Sequence, residues 1–210
     1  FIGVIVAVIS FLVISYYSVI GGWVIKYFVT YVSGGHAADD TFFQQFISQP
    51  VEPVVWQIVF ILITAVNVWK GVEKGIEKVN KILMPVLILL SVGVAVYSIT
   101  LPGAWEGVKY FIFPDFSDFS MSGVLAALGQ MFYSLSLSMG VMVTFGSYLN
   151  QKANIEKSVK IIELFDVSVA ILAGFMVIPA VFVFSGGNQG ALNAGPGLMF
   201  VTLPKVFHTM

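Results

Sequence analysis

Long apolar runs separated by short polar stretches dictate the solvent for this chain. A helix rising 1.5 Å per residue needs roughly 20 apolar residues to cross a hydrocarbon core ~30 Å thick. Runs of about that length occupy residues 1–31, 54–69, 82–99, 124–149 and 161–184, and another begins at 198 and reaches Met210. These are read as five spans and part of a sixth. The predicted fold class is therefore all-α, a polytopic membrane helix bundle.

Composition supports the same solvent. Of the 210 residues, 58% are hydrophobic and 10% charged, too few charges to coat a soluble globule of this size. The net charge of −1 gives no electrostatic footprint for nucleic acid. All ten cations are lysines, and the absence of cysteine excludes a disulfide frame or thiolate metal site. Phe1 opens inside an apolar run, with no initiator Met, signal peptide or lipidation motif. The sequence thus reads as an internal stretch of a longer membrane protein, whose missing helices would be its partners.

Lysines set the orientation, because cytoplasmic loops carry their excess. Lys70, Lys74, Lys78, Lys81, Lys152, Lys157 and Lys160 follow the second and fourth runs, whereas the loops on the other side hold only Lys109. Segments 70–81 and 150–160 are therefore expected in the cytoplasm, and 33–52, 101–120 and 185–197 outside. Segment 70–81 reads as a solvated helix with i,i+4 ion pairs, 101–120 and 150–160 as loops, and 42–47 as a short amphipathic piece.

Chemistry concentrates in the fourth run, in Gly129-Gln-Met-Phe-Tyr-Ser-Leu-Ser-Leu-Ser-Met-Gly140. Ser134, Ser136 and Ser138 repeat every second residue, whereas a helix repeats every 3.6. Two readings stand at this point. In a continuous helix these small residues pack against a neighbour. In a broken one they line a cavity, where freed carbonyls bind cations and a half-helix N-terminus attracts a carboxylate.

Asp166 is the deepest acid, six residues beyond Lys160. An ionised carboxylate at membrane depth has to face the protein interior and a cation. Glu163, Ala170 and Gly174 share its helical face; Glu163 is expected to reach the headgroup region. Tyr16, Tyr17 and Gln130 lie mid-span, where their polar groups need partners. His36 and His208 stand alone and supply neither metal cluster nor base. No phosphate-binding loop, zinc-protease motif or nucleophile elbow occurs, so the chain reads as a non-enzyme with no cofactor.

Several stretches together resemble the neurotransmitter:sodium symporter family in its prokaryotic branch. They are Tyr16-Tyr17 with Gly22-Trp23, the segment Lys74 to Pro85, Gly129-Gln130 through Ser138, Asp166 before Gly174 and Pro179, and Thr202-Leu-Pro204. The resemblance implies part of an inverted-repeat transporter fold with a discontinuous central helix, from about the third transmembrane helix to the start of the eighth. It implies that Tyr17 meets a substrate carboxylate and that Val13, one turn earlier, lines the side-chain pocket. Tyr133 matches an aromatic that lids the substrate, Ser136 lies near its amine, and Met139 forms a bulky wall. Ser138 stands where some relatives have Gly. Ser134 and Asp166 are the implied sodium ligands, Asp166 replacing an Asn common in the family. With Gln130 beside it, the Asp166 carboxylate is expected to stand in for chloride.

The expected function is sodium-coupled symport of a small neutral amino acid, hydrophobic or aromatic, by alternating access. Two alternatives remain: transport of another small solute on the same fold, or a membrane channel or scaffold in which the serines only pack.

Overall fold

The computed structural model describes residues 2–35, 41–113, 119–137, 140–149, 153–187 and 196–210. Ser138, Met139, His36 and Lys152 lie outside the described residues. Those described form helices and turns, without strands. The helices are α1 (Ile2–Val32), α2 (Phe42–Ser48), α3 (Glu52–Trp69), α4 (Lys78–Thr100), α5 (Ala104–Ile112), α6 (Met121–Ser134), α7 (Val141–Tyr148), α8 (Ile155–Phe184) and α9 (Pro196–Thr209).

Four of them are long and apolar enough to cross a membrane among the described residues: 3–32, 52–69, 75–100 and 155–184. Their side chains behave accordingly. Phe11, Leu12, Leu89 and Leu164 are each more than 60% exposed, an arrangement that water would penalise and lipid tails do not. The protein is a multi-pass membrane protein.

Three segments differ from the sequence reading. Segment 101–120 is not simply a loop, because α5 occupies its middle. Ala104, Gly107 and Val108 on α5 are buried, the i, i+3, i+4 stripe of an amphipathic helix too short to register as a run. Segment 150–160 becomes helical at Ile155, where the Asn154 side chain caps α8 by accepting the Lys157 amide at 3.0 Å. The lysine-rich segment is helical with the expected type of pair, Glu77 to Lys81 at 2.7 Å, but 72–77 is a π-helical turn. There Gly75 comes so close to the end of α3 that a Cβ would lie 2.1 Å from the Asn67 carbonyl oxygen.

The contacts divide the chain into two compact units, Tyr16–Ile112 with Leu172–Met210, and Phe1–Ser15 with Phe113–Ile171. In the first, the second half of α1 crosses α3 at Gly22, whose added Cβ would meet the Gln57 amide nitrogen at 2.6 Å. Beside that crossing Gln57 donates to the buried Ser18 hydroxyl at 3.0 Å. A turn further along, Lys26 pairs with Glu52 at 2.5 Å, flanked by the Phe42 and Trp56 rings. α4, α5 and α8 meet around Pro179 of α8. Gly107 lies against Pro179, and Ser98, fully buried on α4, donates to the Met176 carbonyl at 3.0 Å. The 14-residue α9 packs on the surface helix α2 through Phe200, which stacks on Phe43.

In the second unit, the fourth run is not one helix. α6 stops at Ser134 and α7 starts at Val141, so the broken reading holds. Against α7 the first half of α1 leaves a cavity of about 400 Å³, lined by Gly3, Val6, Ala7, Ser10, Gly140, Val141, Thr144 and Phe145.

Candidate ion and substrate site

The break has a definite geometry. The Leu137 amide donates to the Phe132 carbonyl and the Ser136 amide to the Tyr133 carbonyl, each at 3.1 Å. Ser136 sits between them at φ 54°. That pattern is a Schellman motif with Ser136 at the left-handed position that glycine normally fills. The serines at 134 and 136 are thus separated by a helix C-terminus. Gly140 opens α7 at φ 68°, again left-handed, and an added Cβ would lie 2.5 Å from Val6 Cγ1.

A Schellman ending satisfies most terminal carbonyls of its helix. Here those of Met131, Phe132 and Tyr133 each accept an amide from the turn. Among the described residues, the Ser134 carbonyl receives none. The Ser134 hydroxyl donates to Asp166 Oδ1 at 2.8 Å, joining the end of α6 to the middle of α8. A hydrogen bond to an ionised acceptor is roughly twice as strong as a neutral one, and this one points the carboxylate at the break.

Ser134, Asp166, Tyr133, Ser136 and Gln130 therefore belong to one unit, and the structure brings Ser134 and Asp166 into contact. Asp166 and Ser136 are half-buried, whereas Ser134, Tyr133 and Gln130 are exposed. Gln130 sits one turn before Ser134 on α6. Val13 is half-buried on α1. Tyr17, one turn later, is 50% exposed with its ring edge-on to Tyr16. Glu163 is exposed. The small-residue face of α8 is not open along its length, because an added Cβ at Gly174 would fall 2.3 Å from the Phe111 ring.

Two features of the break escaped the sequence reading. Ser136 carries the positive φ, and Gly140 is required by both its backbone and its neighbour Val6. The second glycine bounding the serine repeat was the available signal.

Oxygen ligands suit a hard cation, and unwound backbone at membrane depth is where transporters place coupling ions. The Ser134 carbonyl, the Ser134 hydroxyl and the Asp166 carboxylate form such a set. Residues 43–210 match the model of the sodium:neurotransmitter symporter family. The chain belongs to this family. Its members are transporters rather than enzymes.

An uncharacterized sodium-dependent transporter of Bacillus subtilis, YhdH, is 43% identical over 205 residues, covering 95% of this chain and 45% of the relative. A human sodium- and chloride-dependent creatine transporter is 30% identical over 167 residues, covering 74% of the chain and 26% of that protein. The crystal structure of MhsT in complex with L-phenylalanine superposes with a TM-score of 0.89 at 41% identity, covering all of this chain and 48% of MhsT. The chain spans somewhat under half the length of YhdH and of MhsT.

Proposed function

We propose that this symporter-family chain forms part of a sodium-coupled carrier for a neutral, apolar or aromatic amino acid. The observation that carries the reading is the Ser134–Asp166 hydrogen bond at the broken helix. It collects three oxygen ligands where an alkali cation is balanced by a fixed negative charge. Ser134 holds sodium through hydroxyl and carbonyl, and Asp166 through its carboxylate.

Substrate recognition follows from the remaining residues. Tyr17 donates its hydroxyl to the substrate carboxylate, while Val13, Tyr133 and Met139 wall the side chain and Ser136 lies near the amine. A mostly apolar wall favours a hydrophobic or aromatic substrate, and MhsT, whose structure holds L-phenylalanine, is a well-matched neighbour. The Asp166 carboxylate, with Gln130 as a neighbouring donor, replaces the negative charge of chloride and makes uptake chloride-independent.

Coupling is a linkage free energy. Sodium beside the substrate carboxylate strengthens its binding by ~1–3 kcal/mol, and the substrate returns the same factor to sodium. Alternating access then delivers both to the cytoplasm, with segments 70–81 and 150–160 on that side and 33–52, 101–120 and 185–197 outside. The relatives that carry creatine and taurine in their names keep another small solute in view.

The test is uptake of a labelled amino-acid panel by the full-length protein in proteoliposomes, with and without inward sodium. Saturable, sodium-dependent uptake of phenylalanine or another apolar amino acid, unchanged when gluconate replaces chloride, is expected. Uptake indifferent to sodium would remove the roles given to Ser134 and Asp166. Sodium-dependent uptake that unlabelled creatine or taurine displaces, and amino acids do not, would move the substrate to the other class.

A further inference from the structure

A proline inside a helix removes one hydrogen bond of the ladder. In α9 that residue is Pro204, and the carbonyl left without its helix donor is that of Phe200, four residues back. The Tyr27 hydroxyl, on α1, donates to this carbonyl at 3.0 Å. Tyr27 is 7% exposed, and its ring packs edge-on to Phe42 of α2 and tilted against Phe200. Tyr31, one turn further on α1, reaches the Pro204 carbonyl at 3.4 Å.

We infer that the Tyr27 hydroxyl stands in for the amide hydrogen that Pro204 lacks, so that α1 fixes the course of α9. Tyr27 is then a positioning residue for α9 and more than a packing element. A carbonyl turned away from water without a donor is costly, and this one is part-buried, so α9 keeps a complete ladder only while docked on α1. Undocking of α9 and fraying of its middle turn become one event. The hydroxyl makes this link, whereas the ring alone secures α2.

Hydrogen–deuterium exchange on the full-length protein in lipid nanodiscs separates the two roles. The variants are Y27F, which keeps the ring and removes the donor, P204A, which restores the helix amide, and their combination. Y27F alone should speed exchange of the α9 amides about tenfold, the loss of roughly one part-buried hydrogen bond, and leave the α2 amides unchanged. In the P204A background the same Y27F change should alter α9 exchange by less than about twofold, because the substituted alanine supplies its own backbone donor. Equal effects of Y27F in both backgrounds would overturn the inference. Should P204A fail to fold, the location of the Y27F effect decides. Acceleration confined to α9 supports the role, and acceleration absent from α9 or shared equally with α2 refutes it.

Discussion

Gly140 opens α7 under two independent constraints, and G140A tests both. Its φ of 68° lies in the left-handed region, where an L side chain costs ~1–2 kcal/mol. Its added Cβ would also fall 2.5 Å from Val6 Cγ1, below any real carbon–carbon contact. Forcing a methyl into such a contact typically costs a further ~1–3 kcal/mol. The sum predicts a loss of roughly 2–5 kcal/mol for G140A.

V6A removes the clashing methyls. Val6 is half-buried, so V6A alone should cost only about 1 kcal/mol. If the steric part is as described, V6A/G140A will recover ~1–3 kcal/mol relative to the sum of the single changes, leaving the backbone part in place. Equilibrium unfolding in mixed micelles, read by tryptophan fluorescence, gives the cycle. A coupling energy of zero would mean that Val6 does not bear on Gly140, and the close approach of α1 to α7 would have to be abandoned.

Three other contacts carry measurable stability. S136G should keep the helix break and gain up to ~1 kcal/mol, since glycine adopts φ 54° without steric cost but loses more chain entropy; a clear loss on denaturation would argue against the Schellman ending. K26M leaves Glu52 without its cation beside the Phe42 and Trp56 rings and should destabilise by ~1–3 kcal/mol, with E52Q/K26M recovering much of it in the same assay. S98A removes the buried donor to the Met176 carbonyl near Pro179 of α8 and should lower stability by ~1–2 kcal/mol, measured as a drop in melting temperature.

What the sequence made legible follows from the range of each signal. Span length is written in consecutive residues, so the four long helices stand where hydropathy puts them. α5 escaped because nine residues with one apolar stripe, hemmed by Pro102, Gly103 and Pro114, leave no run to detect. The period-2 serines raised the break as one of two readings but left its form open. A helix C-terminus of this kind is usually marked by a glycine at its left-handed position, and Ser136 gives no such mark. The Ser134–Asp166 bond joins residues 32 apart, and the Tyr27 bond to Phe200 spans 173. Neither has a local pattern. Resemblance to the family supplied the first pair, and only the folded chain supplied the second.

The proposed sodium site is tested most directly by titrating sodium against the thermal stability of the full-length protein, in wild type, S134A and D166A, with potassium as the control ion. Binding to the folded state alone stabilises by RT ln(1 + [Na⁺]/Kd), ~2.7 kcal/mol at a hundredfold excess over Kd. The expected result is a saturable rise in melting temperature for wild type with sodium but not potassium, strongly reduced in both variants. An equal sodium-dependent rise in wild type and both variants would contradict the site.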